Sequence, residues 1–422
     1  MTWPVVTLDS IKADVPYACV GGPFGSNLTS KHYVDEGVPV IRGQNLGGPG
    51  CFNETGFVFV TPEKADKLRP NLAFRGDLLF TQRGTLGQVG LIPQDSQYER
   101  YVVSQSQMKL TVDANRVDAR FVYQYFRLPS TIQEILNRTI TAGVPHINLG
   151  ILKAFEIPMP PLPIQRAIAE VAQTYDDLIA TNQRRIALLE DAARRLYREW
   201  FVHLRFPSHE SVPVKDGVPE GWCKKPIAEQ TSFLNRGITP KYDDTAKGWV
   251  INQKCIRDGR ISMEPARRQS KEVKPDRLIR SGDVLINSTG AGTLGRVAQV
   301  RAPIENCTVD THVTIARPLD EGSSTYFGQA LLELAPVFSE MGKGATNQQE
   351  LSRSDIGAVE IWQPPQHLHV EFHRLVGPML EQAEQLSVAN LSLAKARDLL
   401  LPKLMSGQLD VSGIALPDEV AA

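Results

Sequence analysis

The sequence is written twice, and this duplication restricts the possible folds more than any other feature. The run VPVIRGQNL at 38–46 returns as GWVINQKCI at 248–256. RGDLLFTQRGTLGQVG, from Arg75, returns as SGDVLINSTGAGTLGRVAQV, from Ser281, with two residues inserted before the shared Thr-Leu-Gly. VVSQSQMKLTV, from Val102, pairs with TVDTHVTIARP, from Thr308, and TAGVPHINL pairs with KGATNQQEL. EIPMPPLP corresponds to EIWQPPQH, and AARRLYREWFV, from Ala192, corresponds to KARDLLLPKLM, from Lys395. Matches in one order, all about 200 residues apart, mark an internal repeat rather than coincidence.

Each copy has the same internal order. Short β-branched runs separated by Gly, Pro and Asn turns read as a strand-rich domain with a few helices. A Pro-Pro boundary and one long helix follow. The first helix begins after Pro160, Pro161 and Pro163, since proline suits a helix start and not its interior. Its apolar residues Ile164, Ile168, Val171, Tyr175, Leu178, Leu189, Leu196 and Trp200 step by threes and fours along roughly 35 residues. The second helix, after Pro364 and Pro365, has a matching stripe of Phe372, Val376, Met379, Ala383, Leu386, Leu393 and Leu400. A helix of this kind needs a partner for its stripe, and the two most economically pack on each other. The fold expected is α+β: two mixed, strand-rich domains at 1–160 and 206–364, separated by two long antiparallel coiled-coil spacer helices at 161–205 and 365–407. A tail covers 408–422. Asn182 falls near the first stripe, where it either fixes the register of the seam or faces solvent.

Composition narrows the function classes. The N-terminus lacks a basic region followed by an apolar run, and no stretch reaches the roughly 18 to 20 apolar residues of a membrane span, so a cytoplasmic protein without membrane contact is expected. Five cysteines are scattered singly, which suggests neither a zinc ribbon nor a disulfide framework. A net charge of -1 disfavours nucleic-acid binding by bulk positive charge. One stretch is nonetheless basic: Lys254, Arg257, Arg260, Arg267, Arg268, Lys271, Lys274, Arg277 and Arg280 stand among Asp258, Glu264, Glu272 and Asp276. It is either a solvated face or a local nucleic-acid contact.

Catalytic motifs are absent or misleading. Gly290-Ala291-Gly292-Thr293-Leu294-Gly295 has dinucleotide-site spacing, but the following RVAQVRAP looks like a strand, whereas such a site needs a helix start. A strand-connecting turn is expected there. His369 and His373 are four apart on a predicted helix, without the H-E-x-x-H order of a zinc hydrolase, and read as ordinary helix-terminal histidines. No phosphate loop or nucleophile elbow occurs. Neither Pro-Pro pair has the Asn or Asp and the aromatic that grip a methylatable amino group.

The whole order resembles the specificity subunits of type I restriction-modification systems. The resemblance rests on Pro161-Leu162-Pro163-Ile164-Gln165, Asn182-Gln183-Arg184-Arg185-Ile186, Leu196 to Val202 and Leu399 to Gly407. Gly22-Pro23-Phe24-Gly25-Ser26 and Arg236-Gly237-Ile238-Thr239-Pro240 resemble the turns that open the family's two target-recognition domains. The resemblance implies a non-catalytic chain that binds double-stranded DNA, each domain reading one half of a split site and the helices setting the gap. It implies two modification subunits that use S-adenosylmethionine, ATP- and Mg-dependent restriction subunits, and no cofactor on this chain.

Arginine reads guanine and Asn or Gln reads adenine through paired hydrogen bonds, so polar side chains at loop and strand ends are the candidate readers. These are Arg42, Gln44, Asn45, Gln82, Arg83, Gln105 and His146 in the first domain. Asn252, Lys254, Asn287, Ser288, Thr311, His312 and Asn347 are the candidates in the second. Arg42 and Gln44 lie two apart on a strand-like run, which would put them on one face with Ile41 and Gly43 toward the core. The alternative for many of these residues is satisfaction of turn backbones. Competing functions are a stand-alone DNA methyltransferase or nuclease with an unrecognised site, and a duplicated scaffold that binds no DNA.

Overall fold

The computed structural model describes residues 3–47, 50–141, 143–342 and 349–411. The described residues up to Asn182, with those from Ala389 onward, form one compact unit, and Gln183–Val388 form a second. The fold is α+β, with long helices at Leu162–Tyr197 and Gln366–Met405. Among the described residues no helix is long and apolar enough to cross a membrane.

The first unit contains two four-stranded sheets. One, in the order Cys19–Gly21, Gln107–Leu110, Leu78–Thr81, Val89–Leu91, is antiparallel. The other runs Val58–Val60, Val38–Ile41, Arg100–Val103, Leu72–Phe74, with its two central strands parallel. Every residue of Val38–Ile41, Leu78–Thr81 and Gln107–Leu110 is buried, because both faces of these strands are covered. Leu78 and Phe80 join a core with Met108, Phe121, Phe126 and Ile135, whereas Leu79 faces the opposite way into a cluster with Ile41, Tyr101 and Val103.

The second unit repeats this plan. Thr231–Arg236, Val313–Pro318, Val284–Asn287 and Val297–Gln299 form the antiparallel sheet. Arg267–Gln269, Gly248–Ile251 and Cys307–Val309 form the mixed sheet, again with one parallel pair. Ile279, whose N–H donates to the Cys307 carbonyl, stands where the first unit has its fourth strand. The glycines at 290, 292 and 295 belong to the turn between Val284–Asn287 and Val297–Gln299. A strand follows them, and a Cβ on Gly295 would lie 2.3 Å from the Ser339 nitrogen, so the spacing serves close packing.

The helices complete both cores. In the first unit Ala167, Ile168, Ala169 and Ala172 close over Leu78 and Phe126, together with Leu401, Leu404 and Met405 of the second helix. The two segments run antiparallel: Asp176 is bonded to Arg397, and further along the first helix the Asn182 amide donates to Asn390 Oδ1 at 2.9 Å. Asn182 therefore lies in the seam. Leu178, expected in the stripe, is 47% exposed; the contacts pass instead through Asn182, Asn390 and Arg397. In the second unit Ala193, Tyr197, Trp200 and Phe201 pack with Phe372, Val376 and Tyr326, the rings of Phe201 and Tyr326 meeting at 4.7 Å. An ion pair anchors each unit's strand-rich part to its segment of the first helix: Asp176 to Arg127 at 2.5 Å, and Glu190 to Arg301 at 2.6 Å.

His369 and His373 do not converge. His369 is buried and stacked on Tyr326, centroids 4.6 Å apart, whereas His373 is bonded to Thr325 at 2.7 Å. Burial drives the His369 pKa down to about 4. The folded ring thus stays neutral down to about that pH, while the unfolded ring takes up a proton below roughly pH 6.5. The unfolded state binds more protons across that window, so stability falls as pH drops from about 6.5 toward 4. His369→Phe, which keeps a ring on Tyr326, is expected to remove roughly 2 to 3 kcal/mol of this acid-dependent loss. Urea unfolding of both proteins at pH 7 and pH 4.5 checks it; equal acid losses would refute it.

Candidate nucleic-acid interface

The parallel pair Val38–Ile41 and Arg100–Val103 ends on one side of the sheet, where the Ile41 carbonyl accepts the Ser104 N–H at 3.1 Å. The turn from Ser104 to Gln107 that follows gathers three further segments. Gly22 packs on it so tightly that a Cβ would lie 1.9 Å from the Ser104 oxygen. The N–H groups of Gln82 and Arg83 donate to the Ser106 carbonyl at 2.7 and 3.2 Å. The Gln82 carbonyl in turn accepts from Ile147, and Arg83 bridges to His146. The Gln105 amide reaches the carbonyls of Gly25 and Leu28. Gln82, Arg83, Gln105 and His146 thus share one loop cluster.

Arg42 and Gln44 are placed by a different geometry from the one expected. The strand stops at Ile41, and Gly43–Asn45 is a turn of 3-10 helix, so strand alternation does not place these side chains. Both nevertheless converge, donating to the Gly56 carbonyl. Asn45, by contrast, is fully buried; its Oδ1 accepts the Arg42 N–H at 2.9 Å and its amide donates to the Asn53 and Thr55 carbonyls, so in this structure it builds the loop.

The second unit keeps these backbone bonds and changes the side chains. The Ile251 carbonyl accepts from Asp310, the His312 carbonyl from Ser288, and the Ser288 carbonyl from Leu351. Thr311 is part-buried and His312 exposed, its Nδ1 bonded to Thr289 at 2.5 Å. Burial pushes the adjoining Asp310 carboxyl up in pKa, though it accepts the His312 N–H. Asn287 and Ser288 are turned into the fold. Both are completely buried, the Asn287 amide holding the Gln253 and Thr293 carbonyls and the Ser288 hydroxyl meeting that of Thr314 at 2.6 Å. Both ends of the Asn252 amide are also engaged, with the Lys254 N–H and the Pro265 carbonyl. Lys254 is exposed. Asn347 lies outside the described residues, and Glu350, bridging to Thr289 as His146 does to Arg83, takes the position opposite. Thr289 and Glu350 were not among the candidates, although the repeat aligns Thr289, just beyond Val284–Asn287, with Arg83, just beyond Leu78–Thr81.

The basic stretch divides between structure and surface. Arg260 pairs with Glu190, and Arg277 holds the carbonyls of Arg236 and Gly237. Arg267 lies over the Tyr242 ring and Arg268 over that of Trp249, each at 3.7 Å. Lys254, Arg257, Arg267, Lys271 and Lys274 are exposed.

The family described as type I restriction modification DNA specificity domain matches residues 26–191. The type I restriction enzyme MjaIX specificity subunit of Methanocaldococcus jannaschii is 26% identical over 80% of this chain and 78% of its own length. The EcoBI specificity subunit of Escherichia coli is 25% identical over 54% of this chain and 50% of its own length. The crystal structure of a type I restriction-modification S subunit from M. genitalium shares the fold, with TM-score 0.59 and 18% identity over 96% of each chain.

The division between loop builders and surface groups is testable by stability alone. Asn45→Ala is expected to cost about 1 to 3 kcal/mol, because it leaves buried partners unsatisfied. Arg83→Ala, at an exposed position, should stay within about 0.5 kcal/mol. Denaturant unfolding of the two variants measures both; equal costs would erase the distinction.

Proposed function

Since the chain belongs to the specificity subunits of type I restriction-modification systems, and as such is a non-catalytic component, we propose that each unit reads one half of a bipartite DNA site through the loops at its strand ends. One observation carries this. The two units hold equivalent loops by equivalent backbone bonds yet present different side chains, Gln82 against Ser288, Arg83 against Thr289, Gln105 against Thr311 and His146 against Glu350. A shared frame with altered hydrogen-bonding groups is what two different half-sites require. Exposed Arg83, Gln105, Lys254 and His312, with Arg42 and Gln44, are the proposed readers, and the exposed cations near Tyr242 supply phosphate contact.

In this reading the helix pair sets the number of base pairs between the halves. Modification subunits, two per chain, bring S-adenosylmethionine and methylate an adenine in each half. Restriction subunits bring ATP and Mg. The chain itself contributes address and spacing.

Exchanging Val5 to Pro158 for the matching domain of a relative tests the assignment. The exchanged piece closes on itself, because Val5 pairs with Pro158 in an antiparallel strand pair. It must still meet Ala167, Ile168 and Leu401, so the donor should have an apolar face there. Long-read methylation mapping is expected to show one half of the motif changed and the other retained; a change in both halves would refute one domain for one half. Inserting a few residues between Ala180 and Glu190 is expected to alter the tolerated gap, or abolish pairing, while the half-site sequences stay fixed. Altered half-sites at an unaltered gap would sink the spacing role.

A further inference from the structure

Phe24 is the most exposed large apolar side chain among the described residues, with 87% of its surface open. Its backbone is held on both sides. Gly22 before it donates to the Gln107 carbonyl at 2.9 Å and leaves no room for a side chain against Ser104. Pro23 has a fixed φ, and Gly25 adopts φ +53. The Gln105 amide grips the carbonyls of Gly25 and Leu28, and the Phe24 carbonyl accepts from Asn27 at 3.1 Å. The turn therefore presents a ring that its own chain does not cover, on a support already fixed.

The surroundings indicate what the ring meets. The turn follows Cys19–Gly21 and packs on the Ser104–Gln107 loop, which also carries Gln105 and holds the Gln82 and Arg83 backbones. These are amides and a guanidinium. Exposed Val144 stands in the neighbouring loop at His146, but among the described residues no apolar groove surrounds the ring, and an exposed ring beside hydrogen-bonding groups matches the wedges that part base steps and bend a duplex. Resting on the DNA-reading proposal above, we propose that Phe24 inserts between base pairs of the half-site read by the first unit and kinks it there. Specificity would then include how readily that step unstacks. The second unit has Thr239 two residues beyond its equivalent close-packed glycine, Gly237, and its nearest ring in sequence, Tyr242, lies under Arg267, so the distortion belongs to one half only.

The test uses the full chain assembled with its modification subunits, on cognate duplexes with 2-aminopurine placed at successive positions of each half-site other than the methylated adenine. Binding should raise fluorescence at one step of the first unit's half-site. Phe24→Ala should abolish that rise and weaken cognate binding roughly tenfold or more, with less than about a twofold change on unrelated duplex. Phe24→Leu should keep part of both effects, since leucine also serves as a wedge. The proposal fails if Phe24→Ala keeps wild-type affinity and fluorescence profile. It fails equally if the variant loses modification subunits in sedimentation while its assembled fraction binds DNA normally, since the ring would then cover a protein contact. If the wild-type complex does not distinguish the cognate duplex at all, the DNA-reading proposal falls and the wedge with it.

Discussion

Neither sheet system closes its own core. In the first unit Phe80, Met108 and Phe126 are sealed by Ala167, Ile168 and Ala172 from one long helix and by Leu401, Leu404 and Met405 from the other. In the second, Val284 and Ile286 belong to a core sealed by Tyr197, Phe201, Phe372 and Val376. Each large apolar side chain so buried contributes about 1.5 to 3 kcal/mol, so the helices are part of each domain's hydrophobic interior as well as a connection. This explains why the terminal motifs of the helices resemble each other. Leu196 to Val202 plugs the second unit, and Leu399 to Gly407 plugs the first. Small residues such as Ala167, Ala169 and Ala172 let the helix approach the sheet, and a larger side chain there would overpack it.

A second repeated device lies inside the sheets. Asp77 and Asp283 both follow glycine at the start of a central strand, are almost wholly buried, and accept a backbone N–H three residues earlier at 2.8 Å. Their counter-charges differ. Asp77 has Lys109 at 3.4 Å and the Thr111 hydroxyl, whereas Asp283 takes both arms of Arg317 at 2.8 Å. A buried carboxylate without its partner is costly, which ties the strand register to that pairing. The loops beyond the strand ends are free to vary because the frame beneath them is fixed by such contacts and by backbone bonds.

The duplication, the two helices and the strand-connecting role of the glycines at 290–295 were legible in the sequence, because each leaves a periodic or positional trace. Asn182 was legible as a seam candidate and Leu178 was misleading, since three-four spacing shows which residues share a stripe but not where polar pairs replace apolar ones. The candidate readers were harder. Asn45, Asn287 and Ser288 have the chemistry of base readers, and composition cannot separate an amide that faces DNA from one that holds a turn together. The Arg42–Gln44 geometry was missed for a related reason. Val38–Ile41 is buried on both faces, so its sequence lacks the alternation that would have marked where the strand ends and the 3-10 turn begins.

The charge distribution follows the same division of labour. The net charge of -1 leaves no general attraction to a polyanion, and the one cation-rich stretch uses part of its charge internally. Arg260 is bound to Glu190, Arg277 to two carbonyls, and Arg268 to both a carbonyl and the Trp249 ring. Nonspecific affinity scales with the number of phosphates neutralised, and each cation held inside the fold is withdrawn from that sum. Hydrogen bonds to base edges discriminate among sequences in a way that phosphate contacts do not. A chain built this way gains more in discrimination than in sequence-independent binding, and discrimination is the property that the proposed function asks of it.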